Sequence, residues 1–313
     1  MRILLDAQEA AATAVPTLAE RARGAYLGLA IGDALGATVE FLTVGEIRAQ
    51  YGIHKHLMGG GWLKLKPGQV TDDTQMALAL GEAILERGGW DLKAIADRWI
   101  VWLKSKPTDV GNTCRRGLAR YMREGTLEAR MHEADAGNGA CMRNLPVVLL
   151  TVYDEALLAS YTLAQSHVTH NHPLSDAATL ASARMTAALL RGEGLGAARR
   201  IADDLVGAHR SFRFEPYPKR SSAYIVDTVQ TVFHGLFTST SFEDCLVKIV
   251  NLGGDADTTG AIAGMLAGAA YGEAAIPHRW LRRLDTQVRE AAREQAVRLL
   301  ELGGARSGSE PIR

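Results

Sequence analysis

The sequence predicts an all-α protein that folds as one compact domain of many helices. Apolar residues recur at helical spacing along most of the chain, and the apolar–polar alternation of strands is scarce. No unit of about 20–50 residues repeats, which argues against a solenoid. No linker divides residues 19–302, so we expect a single domain there, between a flexible N-terminal leader at 1–18 and a flexible tail at 303–313.

The helices are predicted from the spacing of their apolar residues. In the segment 91–104, for example, Ile95, Trp99 and Ile100 fall on one side of a helix. Breaker-rich loops separate the helical segments, as at 59–70. We predict helices at 19–38, 73–87, 91–104, 112–123, 145–165, 175–192, 196–209, 223–238, 242–250, 258–271 and 277–302.

The first of these helices carries glycine at every fourth position, at Gly24, Gly28, Gly32 and Gly36. Each glycine disfavours a helix by up to about 1 kcal/mol relative to alanine, so a compensating contact is expected. A second helix has the same spacing, at Gly260, Gly264 and Gly268. We therefore predict that the two helices cross tightly in the core. A membrane-spanning glycine motif is the alternative, which Asp33 and the short helix disfavour.

Composition excludes several classes of function. The 35 basic and 35 acidic residues balance, so nothing indicates binding to nucleic acid or to an anionic membrane. Cys114, Cys141 and Cys245 are scattered, which favours a reducing compartment and argues against a thiolate metal site. The apolar stretch at the N-terminus is too short for a signal peptide, and no apolar run approaches the roughly 20 residues that span a bilayer. We expect a cytoplasmic protein.

Two acidic clusters indicate chemistry. They are TDDT at 71–74 and GGDADTTG at 253–260, each at the predicted start of a helix. Together they would bring four carboxylates and several hydroxyls into one small volume, and so many anions require cations. All-oxygen ligands favour Mg²⁺ or Mn²⁺. We predict a site for two ions, with the ligands Thr71, Asp72, Asp73, Asp255, Asp257 and Thr258.

Helix capping is the alternative explanation of these clusters. Asp72 followed by Gln75 resembles a capping box, and Asp255 or Asp257 could cap the helix at 258–271. Either cluster alone fits capping as well as metal binding. Each cluster, however, contains a carboxylate that capping leaves unexplained, and this favours the metal site.

Three segments resemble the ADP-ribosylglycohydrolase family: GAYLGLAIGDALG at 24–36, TDDT at 71–74 and GGDADT at 253–258. The similarity covers nearly all of 19–302. It implies an all-α fold with a binuclear manganese centre in a cleft, with Mg²⁺ or another divalent ion as the alternative. It also implies an enzyme that hydrolyses the N-glycosidic bond between ADP-ribose and an arginine side chain.

Four further segments are similar to one branch of this family, which acts on dinitrogenase reductase, the iron protein of nitrogenase. They lie at 59–69, 109–117, 169–176 and 221–228. The resemblance implies that ADP-ribosylated dinitrogenase reductase is the substrate and that removing ADP-ribose restores nitrogenase activity. It further implies control by a PII signalling protein and recruitment to the ammonium channel. We expect a monomer with reversible, partner-mediated membrane association, because no amphipathic anchor is evident.

The same resemblance implies catalytic roles for Asp72, Glu40 and Asp109. Glu40 would lie beside the metals and hold a bound water, although a surface glutamate at a helix end is the alternative. Asp109 would handle the substrate. Its carboxylate can stabilise the departing protonated guanidine, or it can protonate the ribose ring oxygen in a ring-opened route.

The ADP-ribose would bind to a second set of residues, Asn112, Gly137, Asn138, Gly139, His170 and Tyr224. Free N–H groups in the 137–139 loop suit a pyrophosphate, although a Gly-Asn-Gly sequence alone is usually a turn. The resemblance places His170 near the ribose or adenine, and Tyr224 could stack on the adenine or line the cleft. His170 and His172 without a third ligand do not indicate zinc.

Two other functions remain to be distinguished. The family includes non-catalytic lens crystallins, but here all four aspartates and both threonines of the clusters are present. A metal-dependent phosphoesterase acting on a nucleotide would use the same ligands. It would release phosphate, whereas the glycohydrolase releases ADP-ribose.

Overall fold

Helices make up nearly all regular structure in residues 15–307, the part of the chain that this computed structural model describes. Two isolated bridges, Gly60–Leu65 and Gly137–Tyr224, are the only β pairings in that part. Three 3₁₀ turns lie at Glu133–Asp135, Arg210–Phe212 and Glu273–Ala275. The fourteen α-helices of the described part, α1 to α14, are Leu18–Gly36, Val44–Tyr51, Asp72–Arg87, Leu92–Lys104, Asn112–Glu124, Leu145–Leu150, Glu155–His167, Pro173–Leu190, Gly194–Ala208, Ile225–Thr238, Phe242–Val250, Ala256–Tyr271, His278–Arg283 and Thr286–Ser307.

The predicted all-α class is therefore confirmed. The predicted leader and tail fall largely on residues 1–14 and 308–313, which lie outside the described residues. No helix among the described residues is both long enough and apolar enough to cross a bilayer.

Two segments predicted as single helices are each divided in two. The segment 145–165 contains α6 and α7, because the Asp154 carboxylate accepts from Leu157 N–H at 2.9 Å and starts a new helix. In the segment 277–302, Asp285 accepts from Val288 N–H at 3.1 Å and separates α13 from α14. In both places the apolar spacing continues across the break, so periodicity alone does not show it.

Helix α2 was not predicted, although its start carries a recognisable signal. Thr43 and Glu46 form a capping box, in which the Glu46 carboxylate accepts from the Thr43 N–H at 2.7 Å. Only Ile47 of this helix is buried, so the segment lacks the apolar spacing that identifies the other helices.

The predicted crossing of the glycine helices is confirmed, and α1 and α12 run antiparallel at backbone contact. A Cβ built on Gly28 would lie 2.1 Å from the carbonyl oxygen of Gly264, and one built on Gly264 would lie 1.9 Å from the Gly28 oxygen. Gly24 meets Gly268 in the same way. No residue larger than glycine fits at these positions unless the helices separate, which explains why a costly helix composition is kept.

This crossing pair occupies the centre of the core. Helices α3 and α14 pack against α1, and α8, α10 and α11 pack against α12. Because the pair is antiparallel, the C-terminal end of α1 lies at the N-terminal end of α12, where Gly36 contacts Ala256. The second acidic cluster is therefore held beside the residues that follow α1, among them Glu40.

We predict that Gly28→Ala lowers the free energy of unfolding by about 1–3 kcal/mol or more, because the methyl group must push two backbones apart. Urea denaturation measures the loss. The matched control is Gly207→Ala in α9, where a Cβ meets no atom within 4 Å and where alanine should stabilise a helix by up to about 1 kcal/mol. Equal stabilities for the two variants would contradict the close crossing.

Candidate active site

The first acidic cluster is anchored to the glycine helix by Asp33. This fully buried carboxylate accepts from the backbone N–H groups of Thr71, at 3.0 Å, and Thr74, at 3.1 Å. It also accepts from the Thr74 hydroxyl at 2.5 Å. The start of α3 is thereby fixed against α1. Sequence reasoning used Asp33 only as an argument against a membrane helix and missed this role; its signal was a charged residue within a helix predicted to be core.

Thr71, rather than Asp72, caps α3. The Thr71 hydroxyl accepts from the Asp73 N–H, so neither neighbouring carboxylate is needed to cap the helix. Asp72 instead accepts from the Gly111 N–H at 2.9 Å, and Oδ1 of Asp73 is buried with no hydrogen-bond partner. The capping-box explanation for Asp72 and Gln75 is therefore wrong, and both carboxylates are available to a ligand.

The second cluster begins α12 without using its aspartates as caps. Asp255 occupies the N-cap position but makes no side-chain capping bond. Its Oδ2 accepts from the Asn138 amide at 2.6 Å. Glu40, Asp255 and Asp257 are all buried, and each offers a carboxylate oxygen that lies within 4.8 Å of the others.

The two clusters meet, as predicted. The Thr258 hydroxyl of α12 donates to Oδ2 of Asp73 in α3 at 3.3 Å. Thr71 donates to the same oxygen at 3.3 Å. All six predicted metal ligands are therefore buried together at the adjoining ends of α3 and α12.

The electrostatics of this group disfavour its charged form. Burial raises the pKa of Asp73 well above its ordinary value, and Asp257 and Asp33 raise it further. Burial likewise raises the pKa of Asp257, with Asp255 and Glu40 adding to the effect. The protein thus holds carboxylates in an environment that opposes their charge, an arrangement that bound cations reverse.

The donor set fits hard divalent cations. It consists of carboxylate and hydroxyl oxygens, and the unpartnered Oδ1 of Asp73 is a buried acceptor with no donor. An unsatisfied buried oxygen costs about 1–3 kcal/mol, a cost that a bound cation would offset.

A cleft opens on this acidic group, and most of the predicted substrate residues line it. The site residues at its wall are Glu40, Asp72, Asp109, Asn112, Gly137, Asn138, Gly139, His170, Asp255, Asp257 and Thr258. Thr71 and Asp73 are buried near this wall. Burial raises the pKa of Asp109, while Arg115 opposes this rise.

His170 and the 137–139 loop form one end of the cleft. The glycines allow the loop to lie against the imidazole, since a Cβ on Gly139 would be 2.7 Å from the His170 ring. Burial lowers the pKa of His170 well below its ordinary value, and Arg143 and Arg116 lower it further, so the ring is neutral. The loop offers fewer free backbone N–H groups than predicted, because the Asn138 N–H already donates to the Ala223 carbonyl at 3.1 Å.

Two other predicted residues lie nearby. Tyr224 pairs through its backbone with Gly137, and 42% of its surface is exposed. His172 caps α8 by accepting from the Leu174 N–H at 3.1 Å. His172 is therefore structural.

The cleft is also lined by two aromatic residues that sequence reasoning did not assign, Phe41 and Trp62. The Trp62 indole N–H donates to Oε2 of Glu40 at 2.6 Å. Glu40 is consequently not a free surface carboxylate, and burial raises its pKa to about 8. The signal for Trp62 was its position directly after three glycines.

Comparison with known proteins assigns the family. The ADP-ribosylglycohydrolase profile matches residues 14–308. The chain belongs to the ADP-ribosylglycohydrolase family. The predicted enzyme class, a glycohydrolase, is thereby confirmed.

Relatives include ADP-ribosyl-[dinitrogen reductase] glycohydrolase of Rhodospirillum rubrum, which is 57% identical over 92% of this chain and 98% of its own length. ADP-ribosylarginine hydrolase Tri1 of Pseudomonas putida is 34% identical, over 88% of this chain and 78% of its own. A solved structure, described as an ADP-ribosylglycohydrolase-related protein complex, superposes with a TM-score of 0.81 at 36% identity. It covers 92% of this chain and 100% of its own.

We predict that Asp33→Asn weakens divalent-metal binding about 10- to 100-fold, although Asp33 hydrogen-bonds the ligand segment rather than serving as a predicted ligand. The amide replaces one acceptor oxygen with a donor that opposes the Thr71 and Thr74 N–H groups. Calorimetric titration with Mn²⁺ measures affinity, and denaturation should show a loss of about 1–3 kcal/mol. Asp203→Asn, at an exposed surface ion pair, is the control. Unchanged metal affinity in Asp33→Asn would refute the anchoring role.

Proposed function

We propose that this protein hydrolyses the N-glycosidic bond between ADP-ribose and an arginine of dinitrogenase reductase. The observation that carries the proposal is the group of buried carboxylates at the wall of the cleft, which form no ion pair within residues 15–307. The name of the Rhodospirillum rubrum relative supports the choice of protein substrate. The alignment covers 98% of that relative's length, so the similarity extends beyond the residues of the cleft.

The residues that would hold the metal are Thr71, Asp72, Asp73, Asp255, Asp257 and Thr258. We propose two ions, because the two clusters contribute ligands from the ends of separate helices, and we propose Mn²⁺ with Mg²⁺ as the alternative. When bound, the ions neutralise the carboxylates and activate water for hydrolysis.

Glu40 positions the water that attacks. One of its oxygens is occupied by the Trp62 N–H at 2.6 Å, which fixes the orientation of the carboxylate. The other oxygen can accept a hydrogen bond from water. Because Glu40 lies beside Asp255 and Asp257, this water would be close to the metal ligands.

Asp109 receives the departing guanidine. Cleavage at the anomeric carbon proceeds through an oxocarbenium-like transition state, and a guanidine leaves more easily when it remains protonated. Asp109 lines the same cleft as Glu40 and Asp72, and its carboxylate can pair with that cation. Asp72, held by the Gly111 N–H, keeps the Asp109–Asn112 loop against α3.

The part of the cleft around His170 receives ADP-ribose. We propose that neutral His170 donates or accepts a hydrogen bond at the ribose, and that Asn112 and Gly139 contact the pyrophosphate. Tyr224, half exposed beside the loop, would cover the adenine. These contacts bind and orient the nucleotide, while the chemistry occurs at the carboxylates.

We also propose regulation by a PII signalling protein, which would recruit the enzyme to the ammonium channel and so to the membrane. The support is the similarity of the segments at 59–69, 109–117, 169–176 and 221–228 to the branch of the family that acts on dinitrogenase reductase. A pulldown with PII should retain the protein in a manner that depends on nucleotide and ammonium. Retention that depends on neither nucleotide nor ammonium would contradict the proposal.

We predict that the protein with Mn²⁺ releases ADP-ribose, and no inorganic phosphate, from ADP-ribosylated dinitrogenase reductase. A chelator should abolish release, and excess Mn²⁺ should restore it. Asp72→Asn should lower kcat by about 100-fold or more, since it removes a carboxylate at the reacting centre. Chromatography of the products measures both compounds, with Asp203→Asn as the control.

Release of phosphate would instead favour a phosphoesterase. Undiminished release of ADP-ribose by Asp72→Asn would show that Asp72 is not needed for the reaction.

We predict that Asp73→Asn has opposite effects on stability with and without metal. In chelator it should raise the free energy of unfolding, because one repelling buried carboxylate is lost. With Mn²⁺ at 100 times its dissociation constant, wild type should gain about 2.7 kcal/mol, and the variant should gain little. Thermal unfolding in chelator and in Mn²⁺ measures both. A variant that gains as much as wild type from Mn²⁺ would show that Asp73 is not a ligand.

A further inference from the structure

Phe41 and Trp62 form an exposed aromatic pair at the mouth of the cleft. Their exposed fractions are 63% and 54%, and their ring centroids lie 5.4 Å apart. Both line the cleft that contains the buried carboxylates. Single exposed apolar residues are ordinary. Here, however, two rings lie next to a buried acidic group, so the surface is both aromatic and acidic.

The fold holds Trp62 rigidly in this place. It lies within a tight turn closed by two backbone hydrogen bonds between Gly60 and Leu65, at 2.8 and 2.9 Å. Gly61 lies against the end of α1, where a Cβ would be 2.4 Å from the Ala37 carbonyl oxygen. The ring is therefore presented by packed backbone, and its N–H is bound to Glu40.

Phe41 is held in place by backbone hydrogen bonds. Its φ is +63°, a left-handed conformation that a bulky aromatic residue rarely adopts. The conformation is maintained because Phe41 N–H donates to the Gly254 carbonyl at 2.7 Å and Gly254 N–H donates to the Leu42 carbonyl at 3.0 Å. Strain of this kind at a cleft indicates that the exposed position of the ring has a use.

A series of contacts connects the groups that line the cleft. His170 lies against Gly139, and the adjacent Asn138 donates to Asp255. Asp255 is next to Glu40, and Glu40 accepts from Trp62. Along this series of contacts the acidic group lies between the aromatic pair and the His170 loop. If ADP-ribose occupies the His170 end, the leaving group must lie toward Phe41 and Trp62.

We propose that Phe41 and Trp62 form the arginine-side subsite, which holds the guanidinium and aliphatic stem of the modified arginine; this inference rests on the proposed function. A guanidinium is planar, weakly hydrated and attracted to aromatic faces, and the stem buries apolar surface on the rings. The carboxyl groups of Glu40 and Asp109 line the same cleft. The subsite would select a cationic, planar leaving group over a neutral or small one.

Binding of the two halves of the substrate tests the subsite directly. The probes are Nα-acetyl-arginine amide, which carries the guanidinium, and ADP-ribose, each titrated into the Mn²⁺-loaded protein and followed by NMR. Trp62→Leu and Phe41→Leu should each weaken the arginine probe about tenfold, as expected for loss of a partly desolvated cation–π contact. ADP-ribose affinity should change less than about twofold, because it binds at the other end.

Two further variants separate the aromatic ring from other effects. Trp62→Phe keeps a ring and loses the N–H to Glu40, so it should retain most affinity for the arginine probe while kcat falls. Tyr153→Leu is the matched control: it is 53% exposed but lines a separate cavity with Leu150 and Gly303. It should alter neither probe.

The possible outcomes distinguish this inference from the proposed function. Arginine-probe affinity that is unchanged in both Leu variants, or lost equally with ADP-ribose affinity, overturns the subsite even if the wild type hydrolyses its substrate. Wild-type protein that releases no ADP-ribose overturns the proposed function, and the comparison of probe affinities still decides whether the rings bind a guanidinium. Trp62→Leu and Phe41→Leu each replace a largely exposed side chain, so we expect both variants to fold. Circular dichroism checks that they do.

Discussion

Contact between the backbones of α1 and α12 determines where the functional carboxylates lie. The two helices approach so closely that a Cβ on Gly32 would be 1.9 Å from the Gly260 oxygen. Their antiparallel direction brings the residues after α1 to the residues that begin α12. Asp33, within α1, then binds the start of α3. One helix therefore positions both acidic clusters, which are far apart in the sequence.

The site that results is electrostatically unfavourable by itself and chemically suited to a cationic ligand. Its carboxylates are buried, and burial together with mutual repulsion raises the pKa values of Asp73 and Asp257. Such a group is stable in its charged form only with cations. The same cleft is lined by His170 and by the aromatic residues Phe41 and Trp62.

Much of this arrangement is predictable because it depends on local spacing. Every-fourth glycine predicts the helix crossing, and two oxygen-rich helix starts predict a common site. The contacts that refine the site join distant segments, as when Asp33 accepts from Thr74 or Trp62 donates to Glu40, and no spacing encodes them. The breaks at Asp154 and Asp285 were missed for another reason: a capping carboxylate can interrupt a helix without disturbing its apolar period.

The glycine rows also limit how the protein can change. In an ordinary core, an enlarged side chain on one helix can be accommodated by a smaller one on its neighbour. Where Gly28 faces Gly264, and Gly24 faces Gly268, the contacting atoms are backbone, and neither partner has a side chain left to shorten. A search for second-site suppressors of a substitution there should find none across the interface. Compensation would have to come from elsewhere in the fold, through a general gain in stability.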